Sequence, residues 1–319
     1  MNIAESFSAA MEAVLPFLVY LALGYFAVRV RITDRDFMNR LNRFVFTLIF
    51  PFMTFWNVYS TTPESMPSLT LLLYVGLGTL ALEGLLLLTV PRVIPENRRR
   101  GVVIQAIFRS NFALYGVPMT TALFPESGAV AGIVLLEVVS IYNITSVIIL
   151  EYYNKENGGR VSVGPLFVKL LKNPLLQGCM VGLVFFALGL KLPKAIETPV
   201  RALASAASPV AMITLGGTLS FAALKKNRRI LTGVLGIRLL LLPLAAVLAG
   251  AALGLRGVEL FLVLMASGTP IATASYPMAA NMGGDGELAG QLVFLSTVLS
   301  LATIFAFIFI LSQAGLLAG

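Results

Sequence analysis

The sequence predicts an all-α polytopic membrane protein: ten transmembrane helices as two inverted five-helix repeats, with crossed, broken helices 4 and 9. Three observations lead there. Of 319 residues, 58% are hydrophobic and only 12% charged, where a soluble domain averages about 45–50% apolar and about 25% charged. That leaves too little polar surface for a soluble globule of this size, and too much hydrophobicity for a disordered chain. The apolar residues gather in ten long stretches separated by short polar breakers. Two of those stretches, the fourth and the ninth, carry glycine and proline near their middles.

In chain order the spans cover about 9–29, 38–58, 68–90, 99–124, 128–151, 165–190, 197–222, 229–253, 257–283 and 286–313. Each holds the roughly 20 residues needed to cross a bilayer. Near-continuous apolar runs of this length are helices, not the short alternating strands of a membrane barrel. Span 1 follows Glu5 and Glu12 instead of a basic leader and stays apolar through Val30, so it reads as a retained helix, not a cleaved signal peptide. Span 2 holds Pro51 in IFPFMTF, with Trp56 and Tyr59 as interface anchors near its outer end. Span 3 carries GLGTLALEG at 76–84, a small-residue helix contact and not a phosphate loop. Span 4 reads RSNFALYGVPMTTALF, and span 5 encloses Glu137. Span 7, after span 6, holds Pro209 in ASPVAMI and then GGTLS; span 8 encloses Arg238. Span 9 reads ASGTPIATASYPMAANMGG, and span 10 follows it directly. The breakers include TTPESMP at 61–67, PENRRR at 95–100, KENGG at 155–159 and KKNRR at 225–229. No connection exceeds about 15 residues, so there is no large soluble domain.

Charge placement sets the topology. The net charge is +8, but 17 of the 23 Lys and Arg lie in or beside odd-numbered connections. The even connections hold only Lys191, Lys194, Arg201 and Arg256. By the positive-inside rule the odd connections are cytoplasmic and both termini face outward. No single element carries a basic stripe, so nucleic acid is not a partner; the lipid bilayer is. There is no histidine, Cys179 is the only cysteine, and Asp34, Asp36 and Asp285 all lie in loops. His-based catalysis, disulfides, cysteine–metal clusters and diaspartyl intramembrane chemistry are therefore excluded, and the protein is expected not to be an enzyme. No cofactor and no metal site are expected.

Five helices per half invert the second half relative to the first, giving repeats over 1–160 and 161–319. Mid-span prolines match between spans 2 and 7, at Pro51 and Pro209. Spans 4 and 9 match more informatively: Asn111, Gly116 and Pro118 against Gly268, Thr269, Pro270 and Pro277. Proline deletes a backbone donor and clashes with the preceding turn, and glycine relaxes the helix. Paired interruptions in corresponding spans point to a transporter binding site. Where the second halves start, free N–H groups favour an anion, and Asn111 and Thr269 could hydrogen-bond it. Where the first halves end, free carbonyls favour a cation or a protonated group. Glu83, Arg109, Glu137 and Arg238 sit deep in their spans, each at a cost of about 2.5–3.5 kcal/mol on insertion scales. They read as pathway or coupling charges, or as ion-pair partners of one another.

The segments LALGYFAVRVRITDRDFMNRLNRFVFTLIFP, RSNFALYGVPMTTALF, KNPLLQGCMVGLVFFALGLKLP, SPVAMITLGGTLS and GTPIATASYPMAANMGGDGELAGQLVFLSTVLS resemble the auxin efflux carrier family over nearly the whole chain. That family includes bacterial malate and malonate carriers and the plant auxin exporters. The resemblance implies two inverted five-helix repeats, helices 4 and 9 crossing at broken segments, and a scaffold beside a moving transport part with elevator-type alternating access. It implies a small organic anion as substrate. Carried over by motif, its site falls on Asn111 and Pro118 in span 4 and on Thr269, Pro270 and Pro277 in span 9. The connection between spans 5 and 6 is only about 13 residues, so the long plant-type loop is absent. By analogy the location is a bacterial-type inner membrane, and a homodimer is left open. No ATP-binding motif is present, so a gradient must drive transport; coupling to protons or sodium stays open. The alternative is a sodium/proton antiporter or a sodium-coupled bile-acid-like symporter of the same crossed-helix plan. The antiporter is expected to place acidic residues at the crossing, and neither broken segment holds one.

Overall fold

The computed structural model describes residues 3–60, 67–154, 171–219 and 221–317, with the side chains of 3–14, 129, 221–224 and 226 outside the description. The turn over 61–66, the basic residues Lys155, Arg160 and Lys169, and the boundary at 160 between the expected repeats all lie outside it. Helices α1 (Ile3–Arg29), α2 (Arg35–Phe44), α3 (Phe50–Tyr59), α4 (Leu69–Val93) and α5 (Asn97–Phe108) come first. Then follow α6 (Val117–Leu123), α7 (Gly128–Tyr152), α8 (Pro174–Ala187) and α9 (Lys194–Thr218). The rest are α10 (Phe221–Gly236), α11 (Leu242–Ala252), α12 (Gly257–Gly268), α13 (Ser275–Asn281) and α14 (Gly286–Gln313). Among the described residues no β-strand occurs; the only sheet-like pairing is a single antiparallel bridge between Ser110 and Ile271.

Among the described residues, five helices are long and apolar enough to cross a membrane: Leu69–Val93, Val130–Tyr152, Lys194–Thr218, Asn227–Ala252 and Gly286–Gln313. Shorter apolar helices are Leu15–Arg29, Phe112–Leu123, Pro174–Ala187 and Gly257–Gly268. Polar side chains mark several helix starts by accepting the otherwise orphaned N–H groups of the first turn. Asp34 Oδ1 accepts from Phe37 N at 2.7 Å, Asn173 Oδ1 from Leu175 N at 3.0 Å, and Asp285 Oδ1 from Leu288 N at 3.0 Å. Two of the three aspartates are thus caps.

Proline is accommodated in two ways. Three π-helical turns, Val45–Ile49, Phe112–Gly116 and Ile237–Leu241, are each followed two residues on by a proline: Pro51, Pro118 and Pro243. The wider turn moves the carbonyls that a proline ring would strike and leaves no i−4 bond to lose. Span 2 therefore stays helical from Arg35 to Tyr59. Pro209, its expected counterpart, lies inside the unbroken α9.

The two tightest pairings, α1 with α9 and α3 with α8, draw one group of helices together, and α1 packing on α14 joins it to the rest. Helices α1, α2, α3, α8 and α9 pack on one another, and α4 to α7 with α10 to α14 form the remainder. In the first group, backbone touches backbone. A Cβ at Gly24 would strike the Ile213 carbonyl, and one at Gly178 the Pro51 carbonyl. Small residues bring membrane helices this close, and dispersion then holds them.

Contacts at the two ends of the bundle sort by connection number. At one end the third connection meets the ninth, through Arg99 Nε to Asp285 Oδ2 at 3.0 Å and Asp285 N to Arg98 O at 2.9 Å. At the other end, Ser68 N donates to Glu259 Oε1 at 2.9 Å and Leu192 N to the Tyr59 hydroxyl at 3.0 Å. Gly257 N also donates there to Leu316 O, at 3.0 Å.

Candidate functional site

The centre of the molecule is where two helices stop and touch. Helix α5 ends at Phe108 and α12 at Gly268, and extended backbone follows each. Asn111 N donates to Pro270 O at 2.8 Å, and Ala272 N to Arg109 O at 3.2 Å. These two bonds flank the Ser110–Ile271 bridge. Ile271 N is taken up by Ser296 Oγ of α14 at 3.1 Å. Backbone groups in an apolar interior need partners, because each one left bare costs several kcal/mol, on the order of a lost hydrogen bond or more. Each break supplies partners for the other.

The break in span 4 lies at Arg109–Asn111, earlier than Gly116 and Pro118, which sit where helix has resumed. The break in span 9 runs from Thr269 to Ala274, and Pro277 lies inside α13. The Thr269 hydroxyl donates to Met265 O at 2.9 Å, in its own preceding helix, and Thr269 is fully buried. Thr273, four residues on, faces the open space instead and meets Ser208 Oγ of α9 at 3.2 Å.

That space is a cavity of about 520 Å³ lying between the two helix groups. Its floor is Arg109, Ser110, Asn111 and Thr273; α7 adds Tyr142 and Asn143. Pro118 lines it, while Gly116, Thr269, Pro270 and Pro277 do not. Trp56 and Asn57 of α3 and Ala204 of α9 carry it toward the end of the bundle where Tyr59 meets Leu192. Trp56, expected as an interface anchor, is thus a wall of the cavity, with the Arg201 guanidinium 6.0 Å from its ring centroid. A single tryptophan near a helix end reads the same way for either role, so no sequence signal separated them.

The deep charges do not pair with one another. Among the described residues, no carboxylate lies in ion-pair distance of Arg109 or Arg238. Arg109 is 4% exposed; its Nη2 donates to Asn143 Oδ1 at 2.7 Å and its Nη1 meets Met278 Sδ at 2.7 Å. Arg238 is fully buried behind the bridge; its Nη1 donates to Ile107 O at 3.0 Å and its Nη2 to Thr269 O at 2.8 Å. The expectation of arginine–glutamate pairs is corrected: these cations are held by neutral dipoles. Glu83 Oε1 accepts from Thr145 at 2.8 Å. Glu137 Oε2 is buried without a hydrogen-bond partner, and the Glu137 carboxylate packs against Gly76 of α4. The Asn111 side chain lines the cavity and makes no hydrogen bond to any of the described residues. Among the described residues no three His, Cys, Asp or Glu are grouped to hold a metal.

Interrupted apolar helices that meet at a cavity with a polar floor inside a helical bundle define a membrane transport protein. A family profile described as membrane transport protein matches residues 9–308, and the chain belongs to that family, the auxin efflux carriers. It is similar to an uncharacterized transporter of Methanothermobacter thermautotrophicus, 27% identical over 93% of this chain and 97% of the relative. A second such transporter, from Methanocaldococcus jannaschii, is 24% identical over 92% and 96% of the two chains. A Rhizobium meliloti protein, provisionally named a malonate transporter, is 23% identical over 95% and 96%. The protein is a multi-pass membrane transporter and not an enzyme.

The paired breaks make a structural prediction. Ser296→Ala leaves the buried Ile271 N–H bare, at about 1–3 kcal/mol, and is expected to lower the melting temperature by several degrees. Ser300→Ala is the control, because that equally buried hydroxyl serves only Thr297 O of its own helix. Equal melting of the two variants would show that the Ser296 contact does not support the break.

Proposed function

We propose that the protein is a secondary active carrier of a small organic anion, a mono- or dicarboxylate, bound in the cavity where the breaks meet. The observation that carries this is the pairing of Asn111 with Arg109 on one wall: among the described residues, an amide with no partner beside a guanidinium with no carboxylate. A carboxylate supplies both deficits, charge to the arginine and an acceptor to the amide. Ser110, Thr273 and Ser208 add hydroxyls to the same floor. The malonate in the name of the Rhizobium meliloti relative supports the dicarboxylate end of the class.

The architecture behind this reading is ten helices in two inverted repeats, crossed at the breaks of spans 4 and 9. The end contacts support it: third connection with ninth at one end, second with eighth and sixth at the other, the parity that alternating crossings require. With odd connections cytoplasmic, both termini are outside and the cavity extends outward. The two helix groups are the natural scaffold and moving part of an elevator, since the cavity lies between them. The alternative plan, a sodium/proton antiporter or sodium-coupled symporter, lacks a supporting carboxylate at either break. For the driving ion, Glu137 is the candidate proton carrier, because its buried oxygen has no competing hydrogen bond.

Two measurements test this. In proteoliposomes with imposed gradients, the wild type is expected to take up one or a few members of a panel of mono- and dicarboxylates. Asn111→Ala is expected to lose at least about 90% of that uptake with its melting temperature within a few degrees of wild type. Full uptake by this variant would remove Asn111 from the site. Glu137→Gln fixes the neutral form, so uptake by that variant is expected to be flat across the pH range over which wild-type uptake changes. An unaltered pH profile would return Glu137 to a structural role.

A further inference from the structure

Helix α5 and the first half of span 9, α12, bring their C-terminal carbonyls to one place, and a helix C-terminus carries about half a negative charge. In transporters with discontinuous helices, unwound carbonyls of this kind coordinate a sodium ion or a proton. Here the place is taken. The Arg238 guanidinium reaches Ile107 O with one terminal nitrogen, at 3.0 Å, and Thr269 O with the other, at 2.8 Å. It comes from neither broken helix but from the π turn Ile237–Leu241 between α10 and α11. The side chain is fully buried, Nε makes no hydrogen bond, and no carboxylate among the described residues neutralises it. Among the described residues the two carbonyls are therefore its only hydrogen-bond partners. A guanidinium does not lose its proton in a protein, so this cation cannot be released.

We propose that Arg238 is a built-in counter-cation that occupies the cation position of the two helix ends, fixes the breaks in register and makes the carrier independent of sodium. It is a positioning residue: its charge faces the carbonyls behind the bridge, while Arg109 faces the cavity in front. One planar fork spans both carbonyls, and each belongs to a different broken helix. The guanidinium thus ties Ile107 to Thr269 as the backbone bonds tie Asn111 to Pro270. The proposal rests on the carrier reading only for its consequence in transport; the site itself can be read without a substrate.

The experiment is thermal melting of purified wild type, Arg238→Lys and Arg238→Ala in NaCl, KCl and choline chloride at equal ionic strength. Wild type and Arg238→Lys are expected to melt alike in the three salts. Arg238→Ala is expected to melt lower in choline and to gain a saturable rise of about 2–4 °C in NaCl, as a small ion enters the emptied position. A sodium-specific rise in wild type would overturn the proposal. So would an Arg238→Ala variant that melts like wild type, since no cation would then be needed there, or one lowered equally in all three salts, since the position would then not be one that a small cation fills. Should Arg238→Ala fail to fold, the wild-type and Arg238→Lys melts decide, and a sodium-specific rise in either overturns it. An uptake panel in which no anion is carried would sink the carrier reading and leave these melts unaffected.

Discussion

Everything at the centre of this protein depends on one constraint: backbone N–H and C=O groups exposed by breaking a helix at bilayer depth must find partners. Two helices are broken, and each is the other's solution. Asn111 and Ala272 donate across the gap to Pro270 and Arg109, Ser296 takes the Ile271 N–H, and Arg238 takes the carbonyls of Ile107 and Thr269. Proline at 270 helps, because it removes one donor that would otherwise need a partner. The pairing frees the side chains of Arg109, Ser110, Asn111 and Thr273 to line a cavity. A continuous helix would have turned them around its circumference.

The same constraint explains why two arginines can lie deep without carboxylates. A buried cation usually needs an anion because desolvation is expensive. Converging carbonyl dipoles and an amide oxygen substitute for that anion at Arg238 and Arg109. The result is an interior with net positive character at the breaks and carboxylates set apart on the α4–α7 seam, where Glu83 meets Thr145 and Glu137 meets Gly76. The arginines beside the cavity and the carboxylates on that seam are thus held apart.

Much of this was legible in the sequence. Hydropathy gave helices, and the motifs around Asn111 and Thr269 gave the two segments that meet. Asp34, Asp36 and Asp285 read only as loop residues; the structure makes Asp34 and Asp285 helix caps and places Asp36 in the first turn of α2. Finer geometry was not legible, for physical reasons. Pro118 and Pro277 draw attention, but the breaks come before them, because a π turn or a helix start absorbs a proline within helix. Pro51 and Pro209 look alike in sequence, yet one follows a π turn and the other sits in unbroken helix. Thr269 and Thr273 differ only in direction, and outside a helix no periodicity fixes direction. Arg238 stood out as costly, but its partners are carbonyls, which every residue has, so no side-chain pattern could name them. In helices that are apolar all round, the face that meets the cavity leaves no amphipathic trace.

The central claim is that an anion binds at the paired breaks, against Asn111 and Arg109. The most direct measurement is a density map of the protein with a carboxylate that it transports. The account predicts density on the cavity floor, with carboxylate oxygens within hydrogen-bond distance of the Asn111 amide and charge-assisted contact to Arg109. Density elsewhere would contradict it, most plainly in the smaller apolar cavity between α4, α11 and α12 that Tyr74, Leu82 and Ala266 line.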